Sequence, residues 1–202
     1  RYDTLGMIQE GKEVSPNLNN LADRGVLFEK AYSTCPLCVP ARTAMATGIY
    51  PTRNGVIYNE GVVPPNIGKQ ESYAGNHKTI HQYLEEAGYN VAHVGKHHIE
   101  VKPPLEEKVN FSKWIDHDDY FKYIEKSGIE LWRPDRFRTE VVEKQRNQYV
   151  KRTYSNPYTG IWPHPAAYFK DNYFGRKSIK FLQEDSNKGS DNPWALFVNL
   201  SS

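Results

Sequence analysis

Cysteine is nearly absent: the 202 residues contain two, Cys35 and Cys38. Two cysteines cannot build a disulfide framework, and without a second pair they cannot complete a four-ligand zinc site. No apolar run approaches the roughly 18 residues that a membrane-spanning helix requires. Excess charge is lacking too, with 26 Lys+Arg against 24 Asp+Glu and no basic run, so nothing points to nucleic acid. The opening Arg1-Tyr2-Asp3-Thr4 has neither an initiator Met nor the apolar stretch of a signal peptide. It reads as a cut, as does the strand-like run Trp194 to Leu200 with only Ser201-Ser202 after it, and a chain truncated at both ends is expected.

What the chain has is aromatic area: 14 Tyr, 8 Phe and 4 Trp, enough to offset ordering entropy and argue against disorder. Its length corresponds to one large domain or about one and a half. A helix, glycine, strand pattern recurs along it. Ser15-Pro16 starts a helix with Leu18, Leu21 and Ala22 on one face, Gly25 stops it, and Val26-Leu27-Phe28 follows as a strand. Thr79 and Gln82 predict a capping box, with Ile80, Tyr83, Leu84 and Ala87 on one face, Gly88 as the stop and a strand over 90–95. A third unit runs from a helix over about 167–184 to the strand 194–200. Such units predict an α/β fold, a mixed, mostly parallel sheet flanked by helices. Residues 50–78, rich in Pro and Gly, read as a long ordered loop. Residues 101–165, rich in Pro and aromatics, read as an insertion whose rings either pack or stack on a sugar.

The chemically informative stretch is Cys38-Val39-Pro40-Ala41-Arg42-Thr43-Ala44-Met45-Ala46-Thr47-Gly48. Pro40 suits a first helical turn and Gly48 an end, which places Cys38 at a helix N-terminus, where free N–H groups and the dipole favour an anion. Arg42 lies one turn along the same face. On physics alone two readings stand: an activated nucleophile beside a fixed cation, or a capped helix with a half-buried thiol and a surface Arg. Cys35-Pro36-Leu37-Cys38 also admits a dithiol redox pair, which Pro40 does little to support.

Cys38-x-Pro40-x-Arg42 followed by Thr47-Gly48 resembles the C-x-P-x-R-x-x-x-x-T-G pattern of type I sulfatases, in the alkaline phosphatase-like superfamily. Gly88-Tyr89-Asn90-Val91-Ala92-His93-Val94-Gly95-Lys96-His97-His98 is similar to a second sulfatase pattern, G-Y-x-T-x-x-x-G-K-W-H, with Val91 for Thr and His97 for Trp. The entry from Ser15 to Phe28 also looks like the family's first helix and strand. On this resemblance, residues 1–202 are the N-terminal part of a sulfatase catalytic domain, with an aromatic and Pro-rich insertion at about 101–165.

The resemblance implies a specific chemistry. Cys38 would be oxidised to formylglycine by a maturation enzyme. One hydroxyl of the hydrated aldehyde attacks sulfur, and deprotonation of the other expels sulfate. Arg42 would hold the hydrate, Lys96 would contact the sulfate oxygens, and His98 would be the base for the second hydroxyl. Cys35 would be a bystander. A divalent metal, usually calcium, is implied, with the Cys38-derived group as this chain's contribution and the remaining ligands outside it. A later sulfate-binding His and Lys would also lie beyond Ser202. His97, beside the catalytic pair, is expected to line the pocket or to pack, with packing favoured, His93 to be a structural histidine, and His164 to be no substitute for the missing His.

The expected activity is hydrolysis of a sulfate ester, with a sulfated carbohydrate suggested by the aromatic insertion and by Arg133, Arg136 and Arg138. The family favours a periplasmic, secreted or lysosomal setting. A phosphonate or phosphate monoester hydrolase of the same superfamily is the near alternative, and a sugar-binding module without catalysis the distant one.

Overall fold

The computed structural model describes residues 5–59, 77–131, 139–145, 148–154, 162–187 and 192–200. It divides into two compact units, residues 1–34 and 35–202. In the first, strands β1 (Ile8–Gln9) and β2 (Lys12–Glu13) form an antiparallel hairpin. Its turn, Glu10-Gly11, has positive φ at both residues, the geometry whose twist suits a two-residue hairpin. Helix α1 (Pro16–Asp23) begins at the predicted Ser15-Pro16 pair. Asn19 ties helix to hairpin by accepting from the Gly6 N–H at 2.8 Å and donating to Glu13 at 3.2 Å.

The expected strand Val26-Leu27-Phe28 does not form, and the three side chains are 80%, 53% and 76% exposed. β structure needs a neighbouring strand to satisfy its backbone, and the strands described in this unit pair with each other.

The second unit carries the sheet that the pattern predicts. Strands β3 (Asn90–Gly95), β4 (Lys113–Ile115) and β7 (Trp194–Asn199) lie in the order β4-β3-β7, and both pairings are parallel. Helix α4 (Ile80–Glu86) leads into β3 through the predicted capping box: Thr79 Oγ1 accepts from the Gln82 N–H, and the Thr79 N–H donates to Gln82 Oε1 at 3.0 Å. Helix α7 (Lys170–Asn187), preceded by a 3-10 turn (Ala166–Tyr168), leads into β7.

Residues 101–131 are more than an insertion. They supply α5 (Leu105–Lys108), the sheet strand β4 and α6 (His117–Lys126), whereas β5 (Thr139–Gln145) and β6 (Gln148–Tyr154) form a separate antiparallel hairpin. The expected loop over 50–78 begins with a short helix, α3 (Pro51–Asn54), and its residues 60–76 lie outside the described set, as do Arg133, Arg136 and Arg138.

Alternation along β3 builds a core on each face of the sheet. Val91 packs with Val56, Val101, Leu105 and Val109 on the face that also receives Leu84 of α4. Val94 packs with Ile115, Tyr120, Ile124, Tyr173 and Phe174, bringing α6 and α7 to the other.

His93 is fully buried as expected, its ring stacked on Trp114 at 4.7 Å, and His81 of α4 is buried against Phe197 at 4.0 Å. Neither imidazole has a hydrogen-bond partner among the described residues. Burial, aided by the neighbouring His97, pushes His81 down to about 4 and His93 down to about 3. Both are therefore neutral at pH 7 and behave as aromatic filler.

Gly95 closes β3 at φ 105, and a Cβ there would overlap the carbonyl group of Asn199. Gly95→Ala is expected to cost about 2–4 kcal/mol of stability, combining backbone strain with overpacking, measured by chemical denaturation. The buried histidines set a second expectation. Unfolded imidazoles bind protons near pH 6.5 and the folded ones only near 4 and 3, so the unfolded state binds more protons between those values. Stability is full above pH 6.5 and falls as pH drops toward 3, by on the order of 3 to 5 kcal/mol per residue at the acid end. His93→Phe should flatten that slope in urea titrations at pH 7 and pH 5.

Candidate active site

Helix α2 (Cys38–Thr47) forms where the motif predicts. Leu37 is its extended N-cap residue, and Gly48, at φ 70, ends it with an N–H donated to the Ala44 carbonyl at 2.8 Å. The Thr-Gly of the motif acts in this termination: Thr47 Oγ1 donates to the Thr43 carbonyl at 2.8 Å, and the left-handed turn belongs to glycine. Cys38 stands exposed at the first helical position, its Sγ donating to Asn59 Oδ1 at 3.2 Å. The same oxygen accepts the Val39 N–H at 3.1 Å, capping the helix end. Cys35 is half-buried and is not joined to Cys38 by a disulfide.

Arg42 sits one turn further and sends Nη1 to Asn199 Oδ1 at 3.1 Å, at the C-terminal end of β7. Lys96 emerges from β3 at the same edge, its backbone N–H donating to the Asn199 carbonyl at 3.1 Å. His98 follows with φ 49, a left-handed conformation uncommon for a residue with a Cβ and frequent at functional sites. The chain is pinned again two residues later, where the Glu100 N–H donates to Oγ1 of the fully buried Thr43 of α2 at 2.9 Å.

The electrostatics follow the same placement. Burial, then the charges of Lys96 and Arg42, hold the His98 imidazole down at about 4, so it is neutral at pH 7. Burial also lowers His97, which is half-buried against Trp114 at 5.3 Å and accepts the Ile99 N–H at Nδ1, so it packs as expected. It also lines a cleft of about 160 Å³ with Arg42, His81, Phe197 and Asn199. Arg42, Lys96 and His98 thus come together, with Cys38 one turn before Arg42. His164 is engaged elsewhere, its Nε2 2.9 Å from the Glu130 carbonyl.

Four further residues reach this edge without having been anticipated: Asn59, Asn199, His117 and Lys170. Asn199 ends a parallel strand, where α/β sheets bind ligands, and that position was a usable signal. Among the described residues no group of three or more His, Cys, Asp or Glu side chains converges to hold a metal ion.

The link between Lys96 and His98 is directly measurable. Removing a cation that disfavours the imidazolium raises the imidazole pKa, so Lys96→Ala should move the His98 titration upward in NMR spectra. No change would show that burial and the other neighbouring charges set it without Lys96.

The sulfatase family profile matches residues 1–202. The chain is 26% identical over 190 residues to the uncharacterised sulfatase YidJ of Escherichia coli (strain K12), covering 91% of this chain and 32% of that protein. It is 35% identical over 118 residues to the N-acetylgalactosamine-6-sulfatase of Rattus norvegicus, covering 56% of this chain and 22% of that one. The chain thus spans about a third or less of the length of these relatives. In fold it is similar to the phosphonate monoester hydrolase of Agrobacterium radiobacter, with a TM-score of 0.56 and 14% identity over 98% of this chain and 38% of that one. With both motifs in order, one on α2 and one running through β3, and the profile matched from end to end, the chain belongs to the sulfatase family, in the alkaline phosphatase-like superfamily.

Proposed function

We propose that the protein hydrolyses sulfate esters and that Cys38, Arg42, Lys96 and His98 are this chain's share of the catalytic site. The observation that carries the reading is the convergence of Arg42, Lys96 and a neutral His98 at one sheet edge, one helical turn from the nucleophile position. Formylglycine made from Cys38 by a maturation enzyme would supply a nucleophile with a second hydroxyl, through which sulfate is released. Arg42, fixed by Asn199, orients the group at the helix end. Lys96 places positive charge where the sulfate oxygens gain negative charge. His98, neutral before reaction, accepts the proton of the second hydroxyl.

Family membership implies a divalent metal, and calcium is the proposed ion, with the Cys38-derived group as one ligand and the others outside the described residues. A carbohydrate sulfate is the proposed substrate class, supported by the relative named for N-acetylgalactosamine 6-sulfate.

The test is the intact mass of the Cys38 peptide after expression with the maturation enzyme, together with turnover of an aryl sulfate by the full-length gene product. Conversion of thiol to aldehyde and loss of turnover in Cys38→Ala are expected, and Lys96→Ala should lower kcat by about 10²-fold or more. An unmodified thiol together with hydrolysis of phosphonate monoesters overturns the reading. Sugar binding unaffected by Cys38→Ser, without turnover, would favour a binding module.

A further inference from the structure

Two more basic side chains reach the catalytic edge than the proposed chemistry uses. Strands β3 and β4 run parallel with Val94 opposite Ile115, so Lys96 and His117 each stand two residues past that pair, beyond the C-terminal ends of adjacent strands. His117 opens α6, whose Asp116 cap accepts the Asp118 N–H at 2.9 Å and the Trp114 Nε1–H at 3.0 Å. Its imidazole lies 5.8 Å from the ring of Phe174, one turn into α7 from Lys170, the first residue of that helix. Two helix starts and a strand end therefore bring Lys96, His117 and Lys170 to one place.

Their mutual effects agree with that geometry. Burial, then Lys170 and Lys96, lower His117, and burial and Lys96 lower Lys170. The surrounding carboxylates are Asp116, Asp118, Asp119 and Asp171. Asp116 is committed to the cap and to Trp114, and Asp119 accepts the Asp116 N–H at 3.1 Å. Asp171 favours the charge on Lys170, and Asp116 and Asp118 that on His117, without cancelling the depression of either. Lys96 and Lys170 disfavour each other's charge and a proton on His117, and an arriving anion relieves both effects.

We propose that His117 and Lys170 form a second anion subsite beside the sulfate position, which holds another oxyanion substituent of the same substrate. This rests on the sulfatase reading and narrows its substrate class to sulfated carbohydrates bearing a second negative group, a carboxylate or a further sulfate. His117 and Lys170 are specificity residues here: they bind the neighbouring group and take no part in the proton transfers.

The test compares His117→Gln and Lys170→Met in the full-length gene product on three substrates: a disulfated hexosamine, a sulfated disaccharide carrying a uronate, and 4-methylumbelliferyl sulfate. Loss of one charged hydrogen bond corresponds to roughly 10- to 100-fold. The ratio of kcat/KM on a doubly anionic substrate to that on the aryl sulfate should fall by that factor, mainly through KM, with partial recovery in Lys170→Arg. The substrate with the larger fall identifies the second anion. Equal losses on all three substrates, or no loss on either carbohydrate, overturn the subsite. If the wild-type protein cleaves no sulfate ester, the activity reading has failed independently. Calorimetric binding of the desulfated uronate disaccharide then decides: binding weakened by Lys170→Met sustains the subsite, and no binding, or binding unchanged by Lys170→Met, overturns it.

Discussion

The close approach of Gly95 to Asn199 is the constraint on which the site depends. Parallel strands β3 and β7 end side by side there, and only a residue without a Cβ lets the backbone turn at φ 105 against the Asn199 carbonyl. Asn199 then serves two neighbours. Its carbonyl accepts the Lys96 N–H, and its side-chain oxygen accepts from Arg42. One residue thus fixes the relative placement of a strand end and of the helix that bears Cys38 and Arg42. A displacement of β7 along its axis would move both cations.

Local features were legible in the sequence because their causes are local. The Thr79–Gln82 box and the Gly48 stop depend on residues within a single turn, and each formed where expected. The strand 90–95 was legible from its place after the Gly88 stop in the recurring helix, glycine, strand pattern. Val26-Leu27-Phe28 shows the limit: composition favours a strand, yet strand formation depends on a partner that composition does not reveal. Strand β4, only Lys113–Ile115, was too short to display a period and was hidden within the supposed insertion.

The site divided in the same way. Cys38, Arg42, Lys96 and His98 stood out because two compact motifs resemble those of sulfatases. Asn199 lies 157 residues from Arg42, and Asn59 lies 21 from Cys38 within a loop without periodicity. Their contribution arises from tertiary placement, which spacing does not encode. The fate of the histidines follows from environment in turn. His81 and His93 are sealed under Trp114 and Phe197, whereas His98 stands near the cations at the strand edge.

The segment carrying Lys96 and His98 is anchored at both ends, by the Lys96 N–H on Asn199 and the Glu100 N–H on Thr43. It resembles a short beam on two supports, one in the sheet and one in the helix. So few rotatable bonds between supports leave the His98 backbone little conformational freedom. The entropic cost of orienting this segment is met when the chain folds.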